Sequence, residues 1–265
     1  MAQVDGLSVE GLVVRFGGLT AVDGQTLTAP RGRITGLIGP NGAGKTTTFN
    51  ACTGMLRPTA GRVSLFGENV TSLPPQARAL RGLGRTFQRM ELFDTLTVRE
   101  NVRMGKEGGM AGRNPLRHLR APRGQAALVD RLADDALDMC GIGHLAHRRP
   151  SDLSTGQRRL VELARCIAGE FTIMLLDEPS SGLDGEETEE FGRILRSLVA
   201  DRGVGILIVE HDMALVMSTC EYIHVLDFGK PIFEGTPPQV ASSPLVRAAY
   251  LGSEASELEL VEEGA

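Results

Sequence analysis

No apolar run in this chain approaches the roughly 20 residues that a helix needs to cross a bilayer, so work at a membrane would require spanning segments from a partner. The most apolar runs, at 173–176 and 205–209, have the length of buried strands in a parallel sheet. The four cysteines, Cys52, Cys140, Cys166 and Cys220, include no close pair. That spacing suggests neither a disulfide framework nor a zinc knuckle and fits a reducing cytosol. Positive charge is not in excess: 28 Lys and Arg against 33 Asp and Glu leave a net charge of −5, which argues against a general nucleic-acid binder. The first residues lack the positive flank and apolar core of a secretory signal, so no export leader is expected.

What is present is enough for a sizeable core. With 265 residues, 42% of them hydrophobic, the chain can form one large domain or a domain with a subdomain. Segments 7–15, 25–29 and 33–38 read as strands broken by Gly and Pro turns, an antiparallel patch beside the core. A glycine loop follows, then a helix over 45–54, then a strand over 62–66. Residues 89–168 carry helical patterns such as 125–140 and read as a helical insertion, with one long Gly- and Arg-rich loop at 105–124. From 169 the pattern alternates: strand 171–177, helix 186–202, strand 205–210, helix 213–220, then strands near 222–226 and 231–234. That alternation marks an α/β sheet. The acidic tail at 253–265 is given no function, and no internal repeat is visible.

Four strings carry the chemistry. The first is GPNGAGKTT at 39–47. Gly39, Gly42 and Gly44, with Pro40, Asn41 and Ala43 between them, let backbone N–H groups converge on phosphate oxygens at a helix start whose dipole favours an anion. Lys45 reaches the outer phosphates, Thr46 offers a hydroxyl to Mg2+, and Thr47 adds a contact. A small-molecule or nucleotide kinase would use the same loop. In IMLLDEP at 173–179 a buried strand delivers Asp177 as a metal carboxylate and Glu178 as a base for water; alone, the pair would read as surface acids. LSTGQ at 153–157 sets Ser154, Thr155, Gly156 and Gln157 at a second helix start, where Ser154 is either an N-cap or part of a second phosphate surface. VEHD at 209–212 supplies His211, a phosphate sensor or a packed side chain.

The order of these strings, with TFQ at 86–88 and SGLD at 181–184, resembles the nucleotide-binding subunit of an ATP-binding cassette transporter over residues 4–252. The resemblance implies a P-loop NTPase fold: a RecA-like core with an antiparallel β subdomain at 4–88 and 169–235, a helical subdomain at 89–168 and a C-terminal extension at 236–252. It implies ATP and Mg2+ as cofactors and a dimer, homomeric or with a second cassette, in which the 154–157 loop of one subunit closes on the nucleotide of the other. It further implies that Gln88 completes the metal and water shell, that Asp184 crosses the dimer seam, that His211 holds the γ-phosphate and that adenine stacks on Phe16. The stretches 16–24, 84–102, 210–217 and 248–252 resemble the ATPase subunits of branched-chain amino-acid importers. Such a subunit would sit on the cytoplasmic face of the plasma membrane under two integral-membrane permeases, fed by an extracytoplasmic solute-binding protein, with no nucleic-acid partner. A lipid or lipopolysaccharide export ATPase and a soluble cassette protein are the competing readings. Lys106, Arg113, Arg117, Arg120 and Arg123 in the long loop are either solvated or close to lipid head groups or a permease.

Overall fold

The computed structural model describes residues 4–86, 92–111 and 123–250. The chain opens with β1 (Gly6–Phe16) and β2 (Leu19–Pro30), joined by a tight turn and paired antiparallel. Leu7, Val9, Leu12 and Val14 of β1 are all buried, and a shift of register between Val9 and Leu12 resets the two-residue period so that both halves face the core. After β3 (Ile34–Ile38) and α1 (Lys45–Thr53), β4 (Ala60–Leu65) and β5 (Glu68–Asn69) complete a four-stranded antiparallel sheet in the order β2-β1-β4-β5.

A second sheet has six strands. Following α2 (Pro75–Ala79), its members are β6 (Leu83–Arg85), β7 (Ile173–Asp177), β8 (Gly205–Val209), β9 (Tyr222–Asp227) and β10 (Lys230–Gly235), with β3 in the middle. The order is β10-β9-β3-β8-β7-β6, parallel except at the β9–β10 hairpin. Every residue of β3, β7 and β8 is buried, the pattern of a parallel sheet covered on both faces. These strands alternate between two cores. Ile173, Leu175, Leu207 and Val209 join β1, β2, β4 and α1, whereas Met174, Leu176, Ile206 and Ile208 join the helices.

The helices on that second face are α3 (Val98–Ala111), α4 (Arg123–Met139) and α5 (Thr155–Ala168), followed by α6 (Gly185–Arg202), α7 (Met213–Thr219) and α8 (Pro237–Ser242). Among the described residues none is long and apolar enough to cross a membrane. Two sequence expectations need correction. The 33–38 segment is not part of the antiparallel patch but the central strand of the parallel sheet, as its wholly buried run of Ile34 to Ile38 requires. The stretch from Gly105 to Ala111 continues α3 rather than opening a loop. Gly105 lies against α5, where an added Cβ would stand 1.9 Å from the Arg165 carbonyl oxygen, so the glycine admits the neighbouring backbone instead of breaking the helix. Arg113, Arg117 and Arg120 lie outside the described residues.

Candidate functional site

Adjacent parallel strands β3, β8 and β7 end together: Leu37 pairs with Val209, and Val209 with Asp177. The loops leaving these three ends therefore share one edge of the sheet, the usual crevice of an α/β fold. From β3 the chain turns through 39–44 into α1. Gly44 holds the turn at φ +97°, and a Cβ there would meet the Ala21 carbonyl oxygen at 2.6 Å. No side chain caps α1, which leaves its start open to an anion. Lys45 is 6% exposed and its Nζ donates to the carbonyls of Gly39 (2.7 Å) and Pro40 (2.8 Å), folding the ammonium across the mouth of the loop. Burial pushes that ammonium below the ordinary lysine value, with Glu178 and Asp177 pulling against it. Asn41, Gly42 and Thr46 are exposed, Thr47 is half-buried, and Ala43 accepts from the Gly229 N–H of the β9–β10 turn.

Asp177 is buried at the end of β7. Its Oδ2 accepts from Arg85 Nη2 at 2.9 Å, while its Oδ1 has no hydrogen-bond partner among the described residues. Burial pushes the carboxyl above the ordinary aspartate value and Arg85 offsets part of this. Arg85 also donates to Asn50 Oδ1 and lies 5.9 Å from the Phe49 ring centroid, tying α1 to β7. An open buried carboxylate oxygen with an exposed threonine hydroxyl on the adjoining helix suits a small hard cation that keeps waters and substrate oxygens as its other ligands. No cluster of three His, Cys, Asp or Glu that could hold a metal occurs among the described residues.

Glu178 follows with φ +48°. Its Oε1 lies 2.8 Å from His211 Nε2, so the two side chains read from separate strings meet directly. Beside them Glu210 is 2% exposed. It accepts from the backbone N–H groups of Ser180 (2.7 Å) and His211 (3.1 Å), and burial pushes its carboxyl above the ordinary glutamate value.

Ser154 caps α5: its Oγ accepts from the Gln157 N–H at 3.2 Å while Gln157 Oε1 accepts from the Ser154 N–H at 3.1 Å. Thr155 and Gly156 form the first turn behind that box. Asp184 closes an equivalent box with Glu187 at the start of α6. The two starts are linked, since Arg159 Nε of α5 donates to the Ser181 carbonyl at 3.3 Å. Phe16 ends β1 and is 50% exposed, free to present a ring face. Gln88 lies outside the described residues. Arg85 and Glu210 had no role in the sequence reading. Glu210 has one signal, a charge closing the buried run 205–209, whereas Arg85 ends a strand of only three residues and has none; the partners that matter, Ser180 and Asp177, lie 30 and 92 residues away.

Two family models match the chain: one for ABC transporters over residues 22–181, and one for the branched-chain amino acid ATP-binding cassette transporter over residues 230–256. The high-affinity branched-chain amino acid transport ATP-binding protein LivG of Escherichia coli K12 is 41% identical over 251 residues, covering 93% of this chain and 97% of the relative. The lipopolysaccharide export system ATP-binding protein LptB of Haemophilus influenzae is 34% identical, covering 94% and 98%. Among solved structures, the ADP conformation of MJ1267, an ATP-binding cassette of an ABC transporter, superposes with a TM-score of 0.80 at 31% identity over 93% of this chain and 98% of that one. The dimeric structure of MJ0796, bound to ADP and Pi in a post-hydrolysis state, does so with 0.74 at 25% identity over 87% and 98%. Relatives of this chain thus bind nucleotide, and a cassette of the same fold dimerises. A glycine-rich loop at an open helix start, a buried carboxylate with one unpartnered oxygen and a Glu–His pair gathered on one sheet edge agree with these likenesses along nearly the whole length, and the chain belongs to the ABC transporter family.

Proposed function

We propose that this chain is the ATP-hydrolysing subunit of an importer for branched-chain amino acids or related small solutes, acting as a dimer on the cytoplasmic face beneath two integral-membrane permeases and an extracytoplasmic binding protein. The observation that carries the reading is that three neighbouring strand ends bring Lys45, Asp177 and the Glu178–His211 pair to one edge of the sheet. The match of residues 230–256 to the importer-type model and the identity with LivG favour import over lipopolysaccharide export.

In this reading the core and β subdomain (4–88 and 169–235) hold the nucleotide, the helical subdomain (89–168) carries the second phosphate surface, and 236–252 is the family extension. Phe16 stacks on adenine. The 39–47 loop wraps the phosphates, with Lys45 leaving the Gly39 and Pro40 carbonyls to neutralise phosphate oxygens. Thr46, Asp177 and Gln88 would hold Mg2+, which would shield the phosphate charge. Glu178 orients the attacking water and takes its proton, while His211, already on Glu178, steadies the carboxylate and faces the γ-phosphate. Ser154, Thr155, Gly156 and Gln157 of the second subunit close the site and Asp184 crosses the seam, so turnover requires two subunits.

Glu178→Gln tests this. ATP affinity should be retained, hydrolysis should fall by a factor of about 10² to 10⁴, and a nucleotide-locked dimer should accumulate in size-exclusion chromatography. Full turnover in that variant would refute the base. Co-purification of two multispanning permeases and a solute-binding protein would support import; co-purification of a lipid-export complex would refute it.

A further inference from the structure

Glu210 follows the last residue of β8 and is 2% exposed, yet among the described residues no cation pairs with it. A buried carboxylate without a cation is costly unless hydrogen bonds hold it. Here its two oxygens are divided. Oε1 accepts the Ser180 N–H at 2.7 Å, and Oε2 accepts the N–H groups of His211 at 3.1 Å and Asp212 at 3.5 Å. One carboxylate thus spans the ends of neighbouring strands, joining the turn that follows Glu178 to the turn that carries His211.

Glu178 itself sits at φ +48°, a region that costs a side-chain-bearing residue roughly 1–2 kcal/mol. Such a conformation persists where the surroundings over-determine it. The Glu178 N–H on the Val209 carbonyl (2.8 Å) fixes one side of the residue, and the Ser180 N–H on Glu210 fixes the chain two residues later. On the far side, Arg159 Nε donates to the Ser181 carbonyl from α5, so buried charged groups hold this turn from two directions.

We propose that Glu210 is a positioning residue for hydrolysis, its carboxylate holding the Glu178 and His211 turns in the one register that brings their side chains to 2.8 Å. The inference rests on the assignment of Glu178 as the base. It requires two acceptor oxygens on one side chain. Glutamine keeps the shape but offers one acceptor and aims an N–H2 at a backbone N–H; aspartate keeps the charge but is one methylene too short to reach both turns.

The test compares full-length wild type with Glu210→Gln and Glu210→Asp in steady-state ATP hydrolysis and in equilibrium binding of a fluorescent ATP analogue with Mg2+. Both variants should keep nucleotide affinity within threefold, which also reports that they fold. Their kcat should fall by about 10- to 100-fold, the range expected when a reacting group is misplaced by up to an ångström. In a His211→Ala background, Glu210→Gln should cost less than a further threefold, because the pair it registers is already broken. A kcat within twofold of wild type in either variant, a matching loss of affinity, or losses that multiply fully in the double variant would overturn the proposal. The two assignments fail separately. Turnover by Glu178→Gln removes the base, whereas an inactive Glu178→Gln beside fully active Glu210 variants removes only the positioning role.

Discussion

The starts of α1 and α5 are both loop-to-helix junctions rich in small residues, but they are built differently. At α1 the cap position is Gly44 in a left-handed conformation, with no side chain on the free N–H groups and no acidic residue in the first turn. At α5, Ser154 and Gln157 satisfy one another's backbone in a reciprocal box, and α6 does the same with Asp184 and Glu187. Since a helix start must satisfy about four N–H groups, the first junction leaves that work to an anion and the second does much of it internally. The α5 start therefore satisfies part of its first turn with its own side chains. This fits a composite site in which α1 binds and the partner's α5 closes.

The α1 side is also tied down more firmly. Arg78 is 1% exposed and donates to the Ala51 and Cys52 carbonyls at the end of α1 and to those of Leu73 and Thr71, four hydrogen bonds that all end on backbone acceptors. Arg85 links the same helix to Asp177.

The largest effect on this contrast is expected from Arg85→Leu. It strands the buried Asp177 carboxylate and should cost about 3–5 kcal/mol near neutral pH, measured by urea unfolding. The Asp177 carboxyl already titrates above its ordinary 3.8. Its contribution to stability is fully present below the unfolded value and is lost as pH rises through the folded one. Removing Arg85 raises the folded value further, so the variant's deficit should be smaller at pH 4.5 than at pH 7; a deficit independent of pH would break the link between the pair and α1. Next, Lys45→Ala should weaken ATP binding by at least about 100-fold, or about 2.8 kcal/mol, in calorimetric titration, abolishing it at micromolar ATP. The smallest effect sharpens the comparison most. Ser154→Ala should cost about 1 kcal/mol of stability through the lost cap. Ser154→Asp keeps a good cap and should leave the melting temperature nearly unchanged, yet it should suppress hydrolysis at protein concentrations that favour dimers, by placing negative charge against the partner's phosphate. Wild-type turnover in Ser154→Asp would reduce α5 to a capped helix and nothing more.

Much of this is legible in the sequence. Apolar runs bounded by charge placed β7 and β8 because a fully buried parallel strand has no polar face to confuse the pattern. The helix expected over 186–202 differs from α6 by one residue, since Asp184 and Gly203 punctuate it. Elsewhere local signals misled. Gly105 reads as a breaker until the Arg165 backbone beside it is seen, and 33–38 reads with its chain neighbours until its pairing with β8 and β9 is known.

The sequence by itself determined which chemistry is possible, because a phosphate loop, a strand ending in Asp177 and Glu178, and a helix opened by Ser154 are each local arrangements with local causes. Only the tertiary structure decided that Glu178 meets His211, that Arg85 hydrogen-bonds Asp177, and that Glu210 binds two turns at once. These are contacts across 30 to 92 residues of chain, and they follow from which strands lie side by side, a choice made by burial on both faces of the sheet.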